Sequence, residues 1–228
     1  MLNRKQRLTR EGPSKKLHDM AFRRRHTVSE VPTTASRYPV TSRLLPQVFA
    51  NIDQRKSLQV LDLGEGSSQT VAFFSSLPAK SRIIFADTLE LVDVWLNTLE
   101  DEEVDFSQAV EAWRQHLGLS PADKFDYLLL WDYLHYFKPA AVEALSSALL
   151  PHIHQETKGY GFGSLHSDKP MPGGSYALDT EETLLIKPYP EPLPYGHSQQ
   201  VIANHFMCMR ISRGTLLREG HLELLFEA

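Results

Sequence analysis

The chain has 228 residues, 42% of them hydrophobic and 23% charged, with a formal net charge of −4. These are ordinary values for a globular protein with one sizeable core. A single cysteine, Cys208, excludes an internal disulfide framework and a cysteine-rich zinc site. No apolar run approaches the roughly 20 residues that span a bilayer, and the N-terminus lacks the apolar stretch of a secretory signal. The expected setting is therefore a reducing cytoplasm, with no membrane span.

Residues 1–26 carry nine Lys and Arg against Glu11 and Asp19, a net of +7, whereas the remainder carries 15 basic and 26 acidic residues. Such an arm suits nucleic acid or another acidic partner, or is a solvated tail. Phe22 is the one aromatic in it, fewer than base stacking favours. Residues 27–42 are rich in Ser, Thr and Pro and read as a linker. The expected division is thus an arm and linker over 1–42 and a folded domain over 43–228.

Leu44, Leu45, Val48, Phe49 and Ile52 lie on one helical face. Leu58 to Leu63 is an apolar run that breaks at Gly64 and Gly66, and a new apolar pattern starts at Val71 and stops at Pro78. That pattern predicts a buried strand, a tight turn and a helix N-terminus. The turn glycines let a ligand approach the backbone, and the free N–H groups of the helix favour polar or anionic groups. Asp62 stands at the end of the strand. Arg82 to Ala86 predicts a second strand ending in Asp87, with a helix over 89–99 behind it.

Phe106 to Leu117 reads as a helix, with Val110, Trp113 and Leu117 inward. Phe125 to Trp131 reads as a strand buried on both faces. Pro139 opens a helix through Leu150, and Gly159 to Leu165 alternates glycine with aromatics, as in a strand closely covered on one face. Prolines 188, 190, 192 and 194 make a stiff, extended segment, either a lid or a loop covering an edge. A helix over Ser198 to Phe206 precedes a closing hairpin, Met207 to Leu217 with His221 to Phe226. Strands that alternate with helices predict an α/β fold. The expected architecture is a doubly wound, mostly parallel, Rossmann-like sheet with a C-terminal antiparallel hairpin.

A dinucleotide fingerprint needs glycine at position 69, which is Gln69. Asp62, Gly64, Gly66 and Ser68 resemble instead the first motif of the class I S-adenosylmethionine-dependent methyltransferases, with serine in place of the third glycine. The terminal hairpin resembles the same family, and the resemblance covers roughly residues 57–228. It implies S-adenosylmethionine as cofactor and methyl transfer to an unnamed acceptor. It also implies that Asp87 reaches the ribose, a role favoured over, and compatible with, a helix N-cap at Asp87-Thr88. Trp131 to Phe137 resembles the family's fourth motif, which borders the methionine part of the cofactor and the acceptor pocket. Asp132 is then a candidate to hold cofactor and His135 a candidate base, since imidazole titrates near neutrality. The plain alternative for His135 is a histidine satisfied by the backbone. Asp105 is set aside, because the segment before it reads as a loop. The same fold used as a non-catalytic scaffold, or an RNA-associated module directed by the arm, are the rival readings.

Overall fold

The structure is a computed structural model that describes residues 36–50, 52–53, 55–86, 105–165, 171–217 and 221–228. The basic arm, Asp87 and the helix expected over 89–99 lie outside the described residues.

In chain order, β1 (Tyr38–Thr41) and the short α1 (Leu45–Val48) lead into β2 (Leu58–Asp62), α2 (Ser68–Ser76) and β3 (Ser81–Phe85). Then come α3 (Phe106–Leu117), β4 (Tyr127–Trp131), a 3-10 turn (Tyr133–Tyr136) and α4 (Pro139–Leu149). The remaining elements are β5 (Lys158–Gly163), β6 (Met171–Leu178), β7 (Thr183–Leu193), α5 (Gln199–His205), β8 (Arg210–Leu216) and β9 (Leu222–Glu227).

Six strands form the main sheet in the order β3-β2-β4-β5-β9-β8. The first four run parallel, and β9 pairs antiparallel with both β5 and β8. The fold is therefore mixed α/β with a parallel centre and an antiparallel closing hairpin. Side chains alternate across the sheet as a pleated strand requires. Leu128 and Leu130 join Trp113, Leu145 and Phe206 in the core beneath α3, α4 and α5. Tyr127, Leu129 and Trp131 face the other way, against Phe73, Phe74 and Tyr176. The close covering expected at β5 is present. A side chain at Gly161 would lie 3.0 Å from the Trp131 carbonyl oxygen, and one at Gly159 would lie 3.0 Å from Phe226 Cβ.

The second face is covered by more than helices. β1, β7 and β6 form a separate antiparallel sheet in the order β1-β7-β6. Two expectations change here. Tyr38–Thr41 is strand rather than linker, paired from Tyr38 with Ile186 to Thr41 with Thr183. The proline segment is the second half of β7, paired with β6. The physical reason lies in strand geometry: prolines two apart remove N–H donors from the same edge, and beyond Ile186 β1 no longer pairs on that side.

Candidate functional site

The strand β2 lies between β3 on one side and β4 on the other, all three parallel. The loop that leaves its carboxyl end, Leu63 to Ser67, therefore opens at the point where strand order reverses, the place where open α/β sheets bind ligands. Ser67 caps α2, its hydroxyl accepting from the backbone N–H of Gln69 and Thr70 at 3.2 and 3.5 Å. The following Pro78 holds Leu77 extended and ends the helix.

Asp62 is 1% exposed. Its Oδ1 accepts from the Gly64 N–H at 2.9 Å and from the Trp131 indole N–H at 2.6 Å. Gly64 has no room for a side chain: a Cβ there would stand 2.7 Å from Trp131 Cδ1 and 3.2 Å from Asp62 Oδ1. Gly66 differs. It is exposed, and a Cβ would meet only the Phe85 ring, at 3.6 Å. Ser68 occupies the first helical position, exposed, with its hydroxyl donating to Gln69 Oε1 at 3.2 Å.

Asp132 and His135 follow β4 and are both buried. Asp132 Oδ2 accepts from the Gly174 N–H at 2.9 Å and the Tyr176 hydroxyl at 3.1 Å, both on β6. Burial pushes its carboxyl up to about 7, against the lowering effect of those hydrogen bonds. His135 Nδ1 accepts from the His197 N–H at 2.9 Å, so the neutral ring carries its proton on Nε2, which donates to the Phe162 carbonyl at 2.9 Å. Burial pushes the imidazole down to about 4. Both nitrogens thus serve the main chain, the arrangement that the alternative reading of His135, a histidine satisfied by the backbone, describes. Asp105, set aside in the sequence, caps α3 through the Ser107 N–H at 3.2 Å.

Three residues that sequence reasoning passed over complete the loop's surroundings. Trp131 has φ 48°, the one positive φ outside glycine among the described residues. Its ring stacks on Tyr176 at 5.6 Å with planes 7° apart. Arg37, placed in the expected linker, donates to Ser67 Oγ, Gln69 Oε1 and Ser175 Oγ at 3.0, 3.2 and 2.8 Å. Tyr189 on β7 donates to Glu65 at 2.9 Å. Trp131 carried one signal, a bulky residue closing an apolar strand beside Asp132; Arg37 and Tyr189 carried none.

A cleft of about 500 Å³ lies at the opposite end of the strands, lined by Lys56, Asp126, Lys158 and Arg210 among others. Its charges are taken up locally, Lys56 by Glu156 at 3.0 Å and Arg210 by Glu227 at 2.8 Å. It is remote from the glycine loop.

No family model and no curated protein matches this chain. Solved structures do. The glycopeptide N-methyltransferase MtfA, complexed with S-adenosyl-L-methionine, is 11% identical; the match covers 86% of this chain and 98% of that one, with TM-score 0.44. A S-adenosylmethionine-dependent methyltransferase from Clostridium acetobutylicum is 10% identical over 74% of this chain and 83% of its own, with TM-score 0.41. The pyocyanin biosynthetic protein PhzM is 14% identical over 80% of this chain, with TM-score 0.43, and the match spans about half its length, 53%. At these scores the likenesses add no weight to the sheet order and loop geometry above. Among the described residues no helix is long and apolar enough to cross a membrane.

Proposed function

We propose that the chain is a S-adenosylmethionine-dependent methyltransferase acting on an acceptor that its sequence does not name. The observation that carries this reading is the position of the acidic glycine loop, Asp62 to Ser67, at the reversal point of the sheet. The terminal helix and antiparallel hairpin agree with the resemblance read in the sequence. The residues fit the cofactor on one side of the loop as they stand: Gly66 is exposed and bare beside Phe85. The Gly64 side is taken up by Trp131.

Bound cofactor supplies a methyl group on a positively charged sulfonium. The residues of this chain bind and orient. Asp62 fixes the loop through the Gly64 N–H, Gly66 admits close approach, Ser68 lies at its exposed end, and Asp87 is assigned to the ribose. Asp132, tied to β6, holds the wall beside Trp131. Alignment and exclusion of water supply most of the acceleration in such a displacement, so a dedicated base is not required.

A second reading, the same fold as a non-catalytic scaffold, is favoured by the commitment of Asp132 and both His135 nitrogens to internal hydrogen bonds. Transfer of labelled methyl to components of a cell extract separates the two. The native chain labels a component and Gly66→Asp, whose Cβ meets the Phe85 ring at an ordinary contact distance of 3.6 Å and whose carboxylate adds charge and bulk at the loop, does not. Equal labelling by both contradicts a site at this loop. No labelling by either supports the scaffold.

A further inference from the structure

We infer that Trp131 is a gate over the glycine loop: its indole must leave Asp62 and Gly64 before a ligand can reach them. The inference rests on the reading that this loop binds S-adenosylmethionine. Four features converge on the one side chain. The indole N–H donates to Asp62 Oδ1 at 2.6 Å, a partner 69 residues away in the chain. The ring fills the space that the missing side chain of Gly64 leaves, so that a Cβ there would lie 2.7 Å from it. The backbone at Trp131 takes φ 48°, a conformation that costs energy for any residue with a bulky side chain and marks positions held by their surroundings. β4 changes register against β5 between Leu129 and Trp131, the kind of bulge that re-aims a side chain.

Those surroundings are Tyr160 of β5, whose ring meets the indole edge-on at 5.9 Å, and the additional sheet. Tyr176 of β6 stacks on the indole and donates to Asp132. The gate is thus clamped from β6, next to Gly174, whose N–H also holds Asp132. Release needs the indole to swing away from the loop. The swing removes one of the two donors on Asp62 Oδ1, which keeps the Gly64 N–H, and clears the face of Gly64 at the same time. A ligand that binds only the open form binds with an apparent affinity reduced by the open fraction. One hydrogen bond to a carboxylate, broken on opening, reduces it by on the order of tenfold or more.

The test is calorimetric binding of S-adenosylhomocysteine to the full chain and to Trp131→Phe, which keeps an aromatic ring on Tyr176 and deletes the donor. At least tenfold tighter binding by the variant is expected. Equal or weaker binding by a folded variant, with the native chain binding, overturns the gate and leaves the cofactor reading standing. Binding by neither overturns the cofactor reading, and the gate falls with it. Should the variant not fold, the indole N–H resonance of Trp131 in the native chain decides. It must shift and exchange faster with solvent as S-adenosylhomocysteine saturates, and an unmoved resonance at saturation overturns the gate.

Discussion

Asp132 and His135 share one buried turn and hold opposite preferences for the proton. Burial keeps the Asp132 carboxyl protonated in the folded state up to about 7, well above the ordinary carboxylate value of 3.8. Its stabilising contribution is complete below the unfolded value and is lost as pH rises through about 7. His135 runs the other way, from 6.5 down to about 4. Its contribution is complete above 6.5 and is lost as pH falls through about 4. Asp132→Asn removes the first effect alone and keeps an acceptor for Gly174 and Tyr176. Relative to the native chain, the variant should gain stability between pH 5 and pH 8 in urea unfolding. A difference that is the same at both pH values would show that the carboxyl does not titrate in this window. His135→Ala strands the Phe162 carbonyl and the His197 N–H, and should lose roughly 1–3 kcal/mol at neutral pH.

Among the elements, α2 is the one whose start decides the loop. Ser67→Ala deletes its cap and one partner of Arg37, and should lower stability by about 1 kcal/mol in a thermal melt. A melt unchanged within about 0.5 kcal/mol, the range of a tolerated surface substitution, would show that the cap is replaced by other contacts. β2 and β4 were legible in the sequence because a strand buried on both faces needs a largely apolar run, and Leu58 to Leu63 and Phe125 to Trp131 provide one, while the closing hairpin was legible from two strand-like runs close together at the end of the sequence. The additional sheet was not legible. β6 contains Pro172, Gly173 and Gly174, and β7 contains three prolines, residues whose local preference is against strand. Pairing with β1 and packing of Tyr176 on Trp131 override that preference. The glycines at 64 and 66 were legible as a turn, but the reason for Gly64 was not. It depends on a backbone angle at Trp131 and a contact across the sheet that no spacing records.

At the scale of the whole molecule, the acidic glycine loop and the reversal of strand order coincide, and an added sheet closes over the same place through Arg37, Tyr176 and Tyr189. Glu223 joins this sheet face to the segment before α1, accepting from the Tyr160 hydroxyl at 2.6 Å and the Arg43 N–H at 3.0 Å. The central claim is that the loop after β2 binds the cofactor. Calorimetry of S-adenosylmethionine with the native chain and with Gly66→Asp tests it most directly, with melting temperatures as the control for folding. The account predicts saturable heat with the native chain and its loss in a variant that melts at the same temperature. Equal binding by the two, or no heat from the native chain at millimolar cofactor, would contradict it.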